Sequence, residues 1–205
     1  MIERDEIRRI IIGRQRRLLS PEGRQRAAVL VPLYQNEGEF QILLIKRTEH
    51  LKTHGGQIAF PGGTWHPEDP NPTSTALREA HEEMGIRLQD VDVLGEVDDT
   101  ATATSNFLIT PVVGVIPFPY PFQINGEEIA DLLSLPLEIL RDPEAFREET
   151  WEKEGGTVRV WVRREGPHII WGATARILRH FGEILFGAPG GADMAQRTAP
   201  PLRIS

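Results

Sequence analysis

The stretch Arg47–Ile86, RTEHLKTHGGQIAFPGGTWHPEDPNPTSTALREAHEEMGI, decides how this 205-residue chain is read. It leaves an apolar run, passes the pairs Gly55-Gly56 and Gly62-Gly63 with Phe60-Pro61 between them, and ends in a segment dense in carboxylates. Pro72 and Thr73 supply a helix start, Ala76, Leu77, Ala80 and Met84 recur at helical spacing, and Gly85 supplies a stop. The apolar face of that helix points into a core. Glu79, Glu82 and Glu83, at i, i+3 and i+4, share a patch away from it. Carboxylates this close repel, and Arg78, four residues before Glu82, answers one of them. A hard divalent cation would answer the others. Magnesium and manganese prefer oxygen ligands, and magnesium commonly shares its shell between protein carboxylates, water and substrate phosphates.

A solvated acidic helix face is the plainer reading, and the neighbourhood argues against it. The two glycine pairs flank Gln57-Ile58-Ala59-Phe60, a short apolar strand, and a glycine pair at a strand end lets backbone N–H groups approach a phosphate. Glycine-rich turn, loop and acidic helix together predict a diphosphate site with its metal.

These residues carry a resemblance. Arg78-Glu79-Ala80-His81-Glu82-Glu83-Met84-Gly85-Ile86 resembles the second half of the Nudix box, G-x5-E-x7-R-E-U-x-E-E-x-G-U, where U is bulky and apolar. The first half departs from it: the acidic residue is Glu68 counted from Gly62 or Asp69 counted from Gly63, and either stands too far from Arg78. Ala80 is smaller than the box usually has, which predicts tight packing behind the helix. Upstream, Leu43-Leu44-Ile45-Lys46-Arg47-Thr48, Lys52, Gly56 and Phe60-Pro61-Gly62-Gly63 are similar in spacing to the pattern of the coenzyme A diphosphatase branch, with Ile45, Thr48 and Lys52 as departures. Lys52 keeps the charge of the expected Arg but not its planar fork. Thr110-Pro111-Val112-Val113 and Ile170–Leu178 also look like this branch, so the resemblance spans residues 25 to 186.

The resemblance implies an α/β fold, a Nudix-type α/β/α sandwich on a mixed sheet, with the acidic helix on one side and the C-terminal helix on the other. It implies metal-dependent hydrolysis of coenzyme A or acyl-CoA to 3',5'-ADP and the phosphopantetheine half. Magnesium or manganese would be held by Glu79, Glu82 and Glu83. Glu82, Glu83 and Arg78 would carry the chemistry, and Arg47, Lys52, Gly62 and Gly63 would bind the substrate. Glu127 or Glu128 enters as a general base by analogy with a loop glutamate of many such enzymes, against the alternative of a helix-start acid. Two readings stand beside this one: the same chemistry on ADP-ribose, NADH or a dinucleoside polyphosphate, and a non-catalytic Nudix module that senses a ligand.

The remaining sequence sets bounds. A chain of this length, 40% hydrophobic and 26% charged, suits one domain over residues 25–186, with a helical lead-in at 1–24 and a flexible tail at 187–205. A net charge of -7 argues against a nucleic-acid partner, and no stretch has the length of a membrane span. Absence of cysteine removes disulfides and thiolate sites, and Met1–Asp5 lacks the apolar core of a signal peptide, so a cytoplasmic location is expected. The sequence leaves a homodimer open.

Residues 2–19 read as an amphipathic helix with Gly13 as a candidate break, ended by Ser20-Pro21; Arg14, Arg16, Arg17, Arg24 and Arg26 read as a solvated face that pairs with acids in preference to a site for the extra phosphate of coenzyme A. Ala27–Tyr34 and Phe40–Arg47 read as a hairpin, 91–97, 107–116 and 158–162 as strands, and 169–186 as a helix. Pro117–Phe122 must leave the sheet and is a candidate wall for an adenine or pantetheine pocket. His54, His66 and Glu96 read as surface residues, and Trp171 as core.

Overall fold

A computed structural model describes residues 2–51, 53–102, 105–153 and 156–187 of the chain. Lys52 and residues 188–205 of the C-terminal tail lie outside the described residues. In chain order the elements are α1 (Arg4–Ile12), β1 (Gln25–Asn36), β2 (Glu39–Arg47), β3 (Ile58–Ala59), β4 (Gly62–Thr64), α2 (Pro72–Met84), β5 (Asp92–Glu96), β6 (Thr100–Ala101) and β7 (Phe107–Val115). There follow β8 (Ile129–Pro136), β9 (Arg147–Lys153), β10 (Gly156–Glu165), β11 (His168–Trp171) and α3 (Gly172–Phe186).

β1 and β2 form the frame, because both are apolar on both faces and must be covered twice. They pair as an antiparallel hairpin, and β1 runs parallel to β7 along its other edge. β8 and β3 extend the sheet from β2, β4 adds to β1, and β5 and β6 add to β7. Alternation sorts the strand residues between two cores. Val31, Leu33, Ile42 and Leu44 join Ile7 and Ile11 of α1 and Ile177, Leu178 and Phe181 of α3. Ala28, Leu30, Leu43 and Ile45 join Ala76, Ala80 and Met84 of α2. The result is the expected three-layer α/β/α sandwich on a mixed sheet. Ile7 of α1 is wholly buried in the first of these cores.

Two sequence expectations change. α1 stops at Gly13, whose N–H bonds to Arg9 O at 2.9 Å, and does not run on to Ser20. Beyond it Arg14 binds Asp98, Arg16 binds Glu96 and Asp99, and the backbone N–H groups of Arg17 and Leu19 bond Asp98 and Asp99. These acids hold the chain extended. The leucines of 130–140, whose element the sequence left open, form β8 and a short 3₁₀ turn, since a run that is apolar on successive residues suits a strand paired to β2. The helix expected from Ile169 begins at Gly172 instead: β11 pairs with β10, and Gly172 at φ 66 makes the break. β9, β10 and β11 form a separate three-stranded sheet of which only Val158–Val162 was foreseen.

The N-terminal arm is latched to α3 through one histidine. His180 Nε2 lies 2.8 Å from Asp98 and Nδ1 lies 3.1 Å from Glu183, with Arg14 and Arg179 as the guanidinium partners of those same acids. Bonds to Glu183 and Asp98 raise the His180 pKa above its ordinary value. Burial pushes the other way on Asp98, but Arg14, the Arg17 N–H and His180 hold it below the usual carboxylate range. A histidine raised on folding stabilises fully below its unfolded pKa of about 6.5 and loses that contribution as pH rises through the folded value. His180→Gln is therefore expected to lower Tm more near about pH 5.5 than near about pH 9. Because the imidazole is partly exposed, the difference should be about 1 kcal/mol, or roughly 2–4 °C in thermal melts.

Candidate active site

α2 is placed by signals at both ends. The Asn71 side chain accepts from the Ser74 N–H at 2.9 Å, Pro72 occupies the first turn, and Gly85 closes the helix in the left-handed conformation at φ 69. Wholly buried Ala76 and Ala80 let the helix lie close to β1 and β7, as the small Ala80 led us to expect. Its third side then faces β4. There Gly62 sits at φ 154, where an added Cβ would come within 2.6 Å of Val29 Cα, so this turn tolerates only glycine.

Glu83 is the innermost carboxylate, 3% exposed, and its Oε2 accepts the Gly62 N–H at 3.0 Å. Arg47 Nη1, at the end of β2, lies 3.6 Å from the other oxygen, while Arg47 Nε is buried with no hydrogen-bond partner. Burial pushes the Glu83 carboxyl up to about 7, against the Gly62 N–H and Arg47, and the charges of Glu79 and Glu128 push it the same way. Glu79 packs on Gly63, where an added Cβ would come within 2.5 Å of the Glu79 carboxyl carbon. Its pKa is also raised by burial, opposed by Arg78 and reinforced by Glu82. Glu82 is the outer member, with 57% of its side chain exposed.

Arg78 does more than face Glu82. Its Nη1 lies 2.8 Å from Glu79 and 3.4 Å from Glu82, its Nη2 donates to Asp69 at 3.0 Å and to Thr64 O at 3.1 Å, and its Nε donates to Asp69 at 3.2 Å. Asp69 is buried and also accepts from Thr75 Oγ1 and the His66 N–H. The Arg78 guanidinium holds its carboxyl well below the usual range, at about 2. Asp69, and not the exposed Glu68, is thus the loop acid joined to the helix. The sequence left that choice open. Its deciding signal was Trp65, whose Nε1 binds Asp69 O at 2.9 Å beneath the Arg26 guanidinium and fixes the longer loop.

On the far side of Glu83, the Asn125 N–H donates to Glu83 O at 2.9 Å and its side chain lies 3.3 Å from Glu128 Oε1. Thr48 ties this loop to β2 through the carbonyls of Glu127 and Glu128. Neither glutamate starts a helix, since β8 follows directly. Glu128 is half-buried and close enough to act on the Glu83 charge, whereas the Glu127 side chain is exposed.

Other candidates lie elsewhere. His54 is exposed and turned to Gln57, and Glu96 binds Thr73 and Arg16 at the start of α2. Pro117 and Phe118 line a hollow of about 480 Å³ with Arg4, Gln35, Asp90 and Asp92, none of which belongs to the acidic helix or the glycine pairs. Trp171 is half-buried and its ring meets that of Trp151 at a tilt of 50°, with 5.0 Å between ring centroids.

Among the described residues no three His, Asp or Glu side chains already converge as a cage for a metal ion. Glu79 and Glu82 share Arg78, and Glu83 turns to Gly62. The donor set nevertheless fits a hard divalent cation: it is all carboxylate oxygen, and the raised pKa values of Glu79 and Glu83 record buried negative charge that the arginines leave incompletely answered. A partly hydrated ion needs no complete protein cage.

The sandwich sets an acidic helix against a glycine turn, an arrangement suited to a diphosphate with its cation. The NUDIX domain profile matches residues 23–153, and the chain belongs to this family, the Nudix hydrolases, which cleave pyrophosphate bonds with the help of divalent metal ions. The chain is 40% identical over 159 residues to the "Uncharacterized Nudix hydrolase NudL" of Yersinia pestis (strain Pestoides F), covering 78% of this chain and 79% of the relative. A MutT/nudix family protein from Enterococcus faecalis shares the fold at TM-score 0.50 and 15% identity, over 90% of this chain and 75% of that one. RenU, a Nudix hydrolase from M. Smegmatis, aligns at TM-score 0.47 and 25% identity, over 57% and 73%. Among the described residues no helix is long and apolar enough to cross a membrane.

Gly63 offers a test of the site separate from the fold. Its backbone is not in the left-handed region, so Gly63→Ala meets only the flexible end of Glu79. We expect Tm to change by less than about 2 °C while kcat/KM falls at least about tenfold as the carboxylate is displaced. Paired melts and initial rates would check it.

Proposed function

We propose that the chain hydrolyses the diphosphate of coenzyme A or an acyl-CoA, giving 3',5'-ADP and phosphopantetheine or its acyl form. The observation that carries this is the buried Glu83, bonded to Gly62 of the Phe60-Pro61-Gly62-Gly63 turn with Arg47 at 3.6 Å, because it joins the acidic helix to the upstream coenzyme A-type pattern in one place. In this reading Glu79, Glu82 and Glu83 hold magnesium or manganese. Such an ion, when bound, neutralises phosphate oxygens and acidifies water.

The chain's own groups do the positioning. Arg47 offers its buried Nε–H and its charge to a phosphate oxygen, and Lys52 is assigned to the same anion from its place in the pattern. Gly62 and Gly63 act through the carboxylates, one by fixing Glu83 and the other by leaving room for Glu79. Arg78 and Asp69 keep Glu79 from swinging away. Glu128 is the candidate general base: half-buried beside Glu83, it can take the proton from the attacking water. Phosphoryl transfer asks mainly for positioning and charge, which this arrangement supplies.

Incubation with coenzyme A and magnesium, with products identified by mass, tests the substrate. Intact coenzyme A after prolonged incubation with active protein would overturn it. Glu83→Gln should lower kcat by about 10²-fold or more with the fold intact. Glu128→Gln should lower it by about 10²-fold or more and Glu127→Gln by less than about threefold, and equal losses would dismiss Glu128 as the base.

Lys52, standing where the coenzyme A pattern has Arg, favours a second reading in which the substrate is ADP-ribose, NADH or a dinucleoside polyphosphate. Parallel assays on that panel separate the two.

A further inference from the structure

The basic stretch from Arg14 to Arg26 does not behave as one surface. Arg14 and Arg16 are bound to Asp98, Asp99 and Glu96. Arg26 is exposed, and among the described residues its guanidinium has neither an acid nor a hydrogen bond; it lies 3.3 Å over the Trp65 ring. Resting on the coenzyme A reading, we propose that Arg26, stacked on Trp65, binds the 3'-phosphate of coenzyme A and so decides which nucleotide the site holds.

Strand register ties this pair to the acidic helix. Ala28 pairs with Gly63 and Ala27 with Thr64, and the ladder runs on through the Trp65 N–H, which donates to Arg26 O at 2.9 Å. Alternate residues share a face, so Arg26 lies on the side of Ala28 and Leu30, which pack on α2. Trp65 likewise lies on the side of Gly63, over which Glu79 sits. One step of about 7 Å along the strand separates the pair from that glycine. Between them Thr64 O accepts from Arg78 Nη2 at 3.1 Å, and Arg78 Nη1 lies 2.8 Å from Glu79. The pair therefore borders the carboxylates directly.

Its chemistry suits an anion. Trp65 Nε1 donates to Asp69 O at 2.9 Å, which fixes the ring, and the Asp69 carboxylate is turned to Arg78, Thr75 and the His66 N–H. A guanidinium at stacking distance from an indole gains from the ring and keeps its N–H groups for a second partner. Two parallel N–H groups match two oxygens of a phosphate. The arrangement of cations names that phosphate. Arg47 stands at one end of the site beside Glu83, and Arg26 at the other end beyond Glu79. Coenzyme A offers two anions to match, its diphosphate and a phosphate monoester on carbon 3' of the same ribose, a few bonds away. ADP-ribose and NADH lack the monoester, so the contact separates coenzyme A from them.

The test is kcat and KM of the full chain on coenzyme A and on 3'-dephospho-coenzyme A, for the wild type, Arg26→Gln and Arg9→Gln, with melts on each. Arg9 is exposed on α1, which packs on the face of the sheet opposite α2, and its replacement controls for a lost charge. We expect the wild type to favour coenzyme A by about tenfold in kcat/KM. Arg26→Gln should lose that preference through KM, with kcat changed by less than about twofold, and Arg9→Gln should keep it. Inhibition by the product 3',5'-ADP should weaken about tenfold in Arg26→Gln, while inhibition by 5'-ADP stays the same. A wild type that cleaves both substrates equally, or an Arg26→Gln enzyme that keeps the preference, would overturn the contact and leave the coenzyme A reading standing. An equal loss in Arg9→Gln would make the effect one of net charge and overturn it as well. A wild type that cleaves other nucleoside diphosphates but neither of these would instead remove the coenzyme A reading, and the contact with it.

Discussion

A carboxylate buried against a backbone N–H is the constraint from which the rest of the site follows. Glu83 has one glycine donor at 3.0 Å and one guanidinium at 3.6 Å, and a pKa near 7 shows that these do not make up for lost water. Only glycine allows β4 to bring that donor so close, because any side chain at Gly62 would strike β1. Sheet register and helix position must therefore agree, and the two cores enforce it: β1 pairs with β4 on one edge while its inward Ala28 and Leu30 receive Ala76 and Ala80 of α2. The fold holds the charge where solvent would not.

Arg78 works on the outer half of the same problem. Five donors in a rigid fork let it serve Asp69, Glu79, Glu82 and Thr64 O together. Its contact with Asp69 is the firm one, two bonds to a buried acid, while that with Glu82 is long and exposed. Consequently Glu79 is pinned and Glu82 is free to turn. The three glutamates, equivalent by helical spacing, are graded by burial from 3% exposed to mostly solvated. The three carboxylates are thus one fixed, one braced and one adaptable.

Much of this was legible in the sequence because helical spacing and glycine punctuation are local. The limits of α2 and the β1–β2 hairpin follow from such signals, whereas the grouping of Arg47 with Glu83 near Gly62 came only through the family resemblance. What escaped was set by pairing between distant segments. Arg14 and Arg16 look like the end of a helix until Asp98, Asp99 and Glu96 are brought beneath them, and those acids lie some eighty residues away. Leu132, Leu133 and Leu135 suit a helix or a strand equally, and β2 settled the matter by offering an open edge. Asp69 could be told from Glu68 only once Trp65 had fixed the loop around it.

The small sheet belongs to this second class and shows why function is the last thing a sequence yields. Its outer strands β9 and β11 carry enough charge or are short enough to pass for surface, and Trp151 and Trp171 are twenty residues apart. Pairing through β10 places their rings in contact and turns scattered valines into one apolar face. That face could not stand alone, since three strands with one covered side are marginal in water. It persists because α3 packs on its back, and α3 is itself held by the core beneath β1 and β2. The main sheet thus carries α2 and its carboxylates on one side and, through α3 on the other, supports the small sheet beside β3.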